Sequence, residues 1–124
     1  MAWDTDIINL DDALTRVMGR KDLYKGWLDA FFNDESLEPV DEAFKNKDYV
    51  AAENALHKLK GTAANLSVVK VREQTVLVSE KIKEREEFNS ISGDLKKLRK
   101  EFYNAKKMYE DNISDLMNYG ELIF

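Results

Sequence analysis

The chain has no cysteine, one proline, five glycines and one histidine among its 124 residues. Without cysteine there is no disulfide, no thiol nucleophile and no thiolate ligand for a metal, which suits a reducing compartment. So few prolines and glycines leave little turn chemistry for a fold of many short strands. No apolar run approaches the ~18 residues that a membrane span needs. The opening MAWDTDIINLDD is acidic and has no basic region leading into an apolar one, so it does not read as a secretory signal. A net charge of −5 disfavours nucleic acid and anionic membrane as partners. One histidine and scattered carboxylates make no compact ligand set, so neither a metal nor a cofactor is expected. No glycine-rich nucleotide loop is present, and no serine or cysteine stands at a readable spacing from the histidine. An enzyme with its own small-molecule substrate is therefore the least supported class. A cytoplasmic protein is expected.

What remains is 44% apolar and 35% charged residues, enough for one core. We read residues 1–124 as one helical domain, with its core over roughly 8–118 and a tail at 119–124. Asn9 and Asp11 are candidate caps for a short helix over 12–18, ended by Gly19. A second helix is predicted over 21–33, with Leu23, Trp27, Ala30 and Phe31 on one side. Ser36 is a candidate cap for a third over 37–45, with Pro39 in its first turn. Asp48 caps a fourth, in which Ala52, Leu56, Leu59, Ala63 and Leu66 are spaced 4, 3, 4 and 3 apart as a buried stripe. A fifth helix is predicted over 69–85. EREEFNSISGD reads as a polar turn, and a long helix over 94–118 follows. Trp27, Phe31, Phe32 and Phe44 are expected in the core, while Trp3 sits in a tail and is open either to packing against the bundle or to disorder. Short connections between helices with one apolar stripe each predict an all-α, up-and-down four-helix bundle with a short extra N-terminal helix.

The lone histidine lies in the fourth helix, within HKLKGTAANL at residues 57–66. With the centre of the buried stripe at zero, His57 falls at about 140°, Gly61 at about 180° and Ala64 at about 120°. All three point away from the core. Lys60 falls at about 80°, on the flank one turn from His57. Gly61 gives up about 1 kcal/mol of helix stability relative to alanine. Facing outward, it is not needed for packing, and what it supplies is absence of bulk beside the imidazole. A neutral imidazole nitrogen is a competent nucleophile toward phosphorus, and a nearby ammonium offsets charge on a phosphoryl group in transit. A donor must dock closely over the ring for in-line transfer, which bulk at 61 or 64 would prevent. Lys45, Lys47, Lys58 and Lys70 add positive charge near the motif; lysines so placed are more often simply solvated on polar faces, and the alternative is that they steer an acidic partner pocket toward His57. A lone surface histidine and a tolerated mid-helix glycine are nevertheless common, so these residues alone leave phosphotransfer as one reading among several.

The segment resembles the signature of histidine-containing phosphotransfer (HPt) domains. His57, Leu59, Lys60, Gly61, Ala63, Ala64, Asn65 and Leu66 fit that signature, with Thr62 where serine or threonine is common. LDDALTRVMGRKDLYKGWLDAFF, at residues 10–32, is similar to the family's usual opening, and the likeness covers roughly residues 8–85. It implies a phosphoryl carrier in which His57 is phosphorylated, Lys60 stabilises the phosphoryl group, and Gly61, Ala64 and Lys58 form a docking surface for a receiver. The implied partners are response-regulator receiver domains, a hybrid sensor histidine kinase, or both. Magnesium is expected on the receiver. A monomer is expected, either free-standing or part of a larger kinase. The family often has glycine after its Asn-Leu pair; here Ser67 stands there, so a different turn is expected. An adaptor that binds receiver or kinase domains without phosphotransfer is the alternative, against which the intact His57, Lys60 and Gly61 count. A structural oligomer built on the last helix and the YGELIF tail is a third reading, compatible with phosphotransfer.

Overall fold

The computed structural model describes residues 2–120, apart from the side chain of Asp34. The expected tail at 119–124 thus lies mostly outside the described residues. Seven α-helices are present among the described residues: α1 Leu10–Arg16, α2 Lys21–Phe31, α3 Glu38–Lys45, α4 Tyr49–Asn65, α5 Val69–Lys83, α6 Phe88–Asp111 and α7 Ile113–Met117. A single 3-10 turn, Asp34–Ser36, joins α2 to α3. There is no strand among the described residues, only an isolated antiparallel bridge between Ile8 and Val68.

The bundle has four struts, and one of them is built from two helices. α4 packs between α3 and α5, and α5 packs on α6. α2 meets the C-terminal half of α6, where Phe31 and Phe32 lie 5.4 and 5.5 Å from Phe102 and the Tyr109 hydroxyl donates to Asp29 at 2.6 Å. α3 meets the N-terminal half, where Arg99 donates to Asp41 at 2.6 Å and Phe44 lies 5.1 Å from Phe88. α2 and α3 therefore run end to end along α6 as one strut. The all-α four-helix bundle with its extra N-terminal helix is present, and α7 is a further short piece.

Four local expectations are corrected. Ser36 does not cap α3; its hydroxyl donates backward to the Phe31 carbonyl at 2.5 Å. The buried face of α2 is Tyr24, Leu28 and Phe31, so Leu23 and Ala30 leave the core and Trp27 is 46% exposed. The stretch read as a polar turn already contains the first turns of α6, because Phe88 and Ile91 are buried and Phe88 packs on Phe44 and Tyr49. The last helix breaks at Asn112, whose φ of −133° leaves the helical range. Of the two readings open for Trp3, packing holds: it joins the core, 4% exposed, with its indole N–H donating to the Ile8 carbonyl at 3.0 Å.

The stripe predicted for α4 is buried at every position, Ala52, Leu56, Leu59, Ala63 and Leu66. That burial fixes the rotation of α4 and with it the outward direction of the histidine face.

Candidate functional site

α4 is held at both ends. Asp48 accepts the Ala51 N–H at 3.0 Å, closing the N-terminus as its position predicts. At the other end Ser67 N–H reaches the Ala64 carbonyl and Val68 N–H reaches the Ala63 carbonyl, the paired bonds of a Schellman stop. Ser67 occupies the left-handed seat with φ of 58°. Its hydroxyl donates to Asp12 at 2.5 Å, and its carbonyl accepts the Asn9 N–H at 3.0 Å. The turn is thus the ordinary glycine-type stop made by a serine that α1 clasps. The Ser67 bond, then Arg16 at 3.1 Å, hold the Asp12 carboxyl below its ordinary value. Tyr24 completes the clamp by donating to the Leu66 carbonyl at 2.5 Å.

His57 stands exposed in the middle of this braced helix, with no hydrogen bond or ion pair among the described residues. Lys60 is half-buried and Lys58 exposed, and neither is engaged in an ion pair there. A methyl group added at Gly61 would meet nothing within 4 Å. The glycine therefore serves no internal packing, and the space it leaves is open to whatever approaches the ring. Ala64 is half-buried and forms part of a recess of about 280 Å³ beside Arg16 and Arg72. His57, Lys60, Gly61 and Ala64 thus share one side of α4, while Lys58 belongs to the opposite flank.

That opposite flank is a groove of about 620 Å³ between α4 and the α2–α3 strut, lined by Trp27, Phe31, Pro39, Leu59 and Lys58 among others. Trp27 is the residue that sequence reasoning missed. Its apolar spacing placed it in the core, and the available signal was the competing stripe Tyr24, Leu28 and Phe31 three and four residues apart. Of the remaining lysines, Lys70 is loosely paired with Glu73 at 3.9 Å, and Lys45 stands beside Glu38, Asp41 and Glu42. Among the described residues no group of three histidine, aspartate or glutamate side chains comes together to hold a metal. No helix of the described residues is long and apolar enough to cross a membrane.

No protein-family model and no curated protein matches the chain. Among solved structures, the HPT domain from a sensor hybrid histidine kinase of Shewanella matches with a TM-score of 0.71, over 90% of this chain and 97% of that one, at 19% sequence identity. The fold is that of an HPt domain. Within the HPt fold of this chain, the segment that resembles the family signature is the exposed middle of α4. The two lines of comparison rest on different information, one on ten residues of sequence and the other on the course of the backbone.

Proposed function

We propose that the protein is a phosphoryl carrier that takes a phosphoryl group from a phospho-aspartate of a receiver domain onto His57 and passes it to another. The observation that carries this reading is the state of His57: the only histidine, exposed, unengaged, mid-helix, with open space over Gly61. A ring nitrogen attacks phosphorus with its lone pair. The N–P bond forms as the acyl P–O bond breaks, and the aspartate leaves as a carboxylate. The other ring nitrogen keeps its proton. The Lys60 ammonium, one turn along, offsets charge on the phosphoryl oxygens.

Gly61 and Ala64 leave room for the receiver, and the Trp27 groove beside Lys58 extends the surface on which it rests. Tryptophan, with tyrosine and arginine, is among the residue types enriched as anchors of such contacts. Magnesium belongs to the receiver, and the chain itself needs no cofactor. Without a nucleotide-binding motif, the protein does not phosphorylate itself from ATP. It works as a monomer in the cytoplasm, where receiver domains and hybrid kinases present their aspartates.

The test is transfer from receiver domains, each phosphorylated beforehand with a small phospho-donor and magnesium, to the wild type and to His57→Gln. Label should reach the wild type and not the variant, whose helical circular dichroism stays unchanged. A wild type that binds a receiver yet takes no label would instead establish the adaptor reading.

A further inference from the structure

The side of α4 that carries His57 forms a seam with α5, and its charges are uneven. By helical position, α4 contributes Glu53 and Lys60 to the seam, and α5 contributes Arg72, Lys83 and, just past its end, Arg85. Glu53 is the one carboxylate among them. It lies one turn before His57 on the same side of the helix, where residues four apart have Cβ atoms about 6 Å from each other. A free carboxylate there would repel a phosphoryl dianion on the ring.

Glu53 is not free. The Arg85 guanidinium is ion-paired with it. Arg85 is itself fixed from three other directions. Its backbone takes the left-handed seat that ends α5, with φ of 59°. Its guanidinium donates to the Ile82 carbonyl at 3.0 Å and lies 5.1 Å from the centre of the Tyr49 ring. Tyr49 is anchored in turn by donating to the Glu86 carbonyl at 2.7 Å. A left-handed arginine is a strained choice for a helix stop, where glycine is the usual solution. What the arginine side chain adds at this place is the Glu53 ion pair and the Tyr49 contact.

We propose that Arg85 is a positioning residue for the phosphoryl-transfer reaction, masking Glu53 so that His57 faces no free carboxylate when it is phosphorylated. This rests on the phosphocarrier reading above. Arg85 touches neither the ring nor the phosphoryl group in this scheme; it acts by holding the Glu53 charge.

The test compares two small reagents that attack His57 without any receiver. Phosphoramidate is anionic; its P–N bond breaks, ammonia leaves, and the N–P bond to the ring forms. Diethylpyrocarbonate is uncharged and reports only the access and reactivity of the ring. Replacing Arg85 by alanine should slow phosphorylation by phosphoramidate about tenfold relative to carbethoxylation at low salt, with the gap closing at high salt. Arg85→Lys should recover part of the rate. Adding Glu53→Gln to Arg85→Ala should restore the wild-type ratio, which repair of a merely structural defect would not do.

An unchanged ratio in Arg85→Ala, or no recovery on adding Glu53→Gln, overturns the proposal. Should Arg85→Ala unfold, Arg85→Gln with and without Glu53→Gln gives the same comparison. A wild type that is carbethoxylated but never phosphorylated, by phosphoramidate or by any receiver, removes the phosphocarrier reading itself and the masking role with it. Normal receiver-dependent transfer in Arg85→Ala, with the phosphoramidate ratio also unchanged, removes the masking role alone.

Discussion

The chemistry proposed for His57 depends on what surrounds the ring as much as on the ring. The imidazole is reachable because the core stripe of α4 turns it outward, and it is approachable because Gly61 adds no bulk. In the proposed phosphocarrier, stability and function therefore part at position 61. Replacing Gly61 by glutamine should raise helix stability by up to about 1 kcal/mol, since glutamine is the better helix former and its side chain meets open space. The same change should slow receiver-dependent transfer tenfold or more by obstructing docking. A urea melt and a transfer time course on the same preparation check both. A variant that is more stable and equally fast would remove the clearance role. The placement of His57, Lys60, Gly61, Ala64 and Lys58 around α4 was legible in the sequence, because the stripe of α4 fixes every angle on that helix. Trp27 was not. Two overlapping stripes on α2 have the same 3–4 spacing, and tertiary partners such as Leu66, which receives the Tyr24 hydroxyl, decide between them.

Helix ends show how the molecule manages with few glycines. α1, α3, α4 and α5 all stop with paired Schellman bonds, and the left-handed seats belong to Met18, Lys47, Ser67 and Arg85. Each non-glycine residue there carries about 1 kcal/mol of strain. The strain is offset differently at each. Ser67 hydrogen-bonds to Asp12, and Arg85 holds Glu53, whereas Lys47 is exposed and makes no such bond among the described residues. Lys47→Gly should therefore stabilise the fold by about 1 kcal/mol in a urea melt. Ser67→Gly should be close to neutral, because relief of strain is offset by loss of a hydrogen bond of similar size. Equal gains at both positions would show that the Asp12 bond contributes nothing. The places of these stops were legible in the sequence, but not which residue takes the left-handed seat, because at Lys47, Ser67 and Arg85 the usual marker, glycine, is missing. The start of α6 was hidden for a related reason: Phe88 and Ile91 sit in a polar stretch, and only Phe44 and Tyr49 from other helices show that they are buried.

The whole bundle was the most legible level, since four apolar stripes joined by short connections admit few other arrangements. The tandem strut was not, because nothing in the local sequence says that α2 and α3 continue one another along α6. At this scale the pH response follows from groups that tie struts together. Asp29 is held below its ordinary value of 3.8 by the Tyr109 hydroxyl and then by Lys25, and Asp12 is held down by Ser67 and then Arg16. The unfolded chain binds protons at these carboxyls more readily than the folded one. Their contribution is thus present above about pH 4 and is lost as pH falls through the depressed folded values. Both are half-exposed, so solvent screening limits the total to about 1 kcal/mol. On the alkaline side, burial and then the Asp12 charge push the Tyr24 hydroxyl above its ordinary value of 10.0. The unfolded chain ionises first, so stability is full below pH 10 and declines as pH rises beyond it. Thermal melts across pH should show both limbs, with Asp29→Asn making the acid limb shallower and Tyr24→Phe the alkaline one, to which Tyr109, also raised by burial, still contributes. An acid limb unchanged in Asp29→Asn would dissociate the Tyr109–Asp29 contact from stability.

In the proposed relay, His57 carries the phosphoryl group. The most direct measurement is to incubate the protein with a phosphorylated receiver, digest it, and locate the added phosphate by mass spectrometry alongside its stability in acid and base. One phosphate is expected, on His57, in a bond that is labile in acid and stable in base. Phosphate on a carboxylate or hydroxyl side chain, or none with a receiver that demonstrably binds, would contradict it.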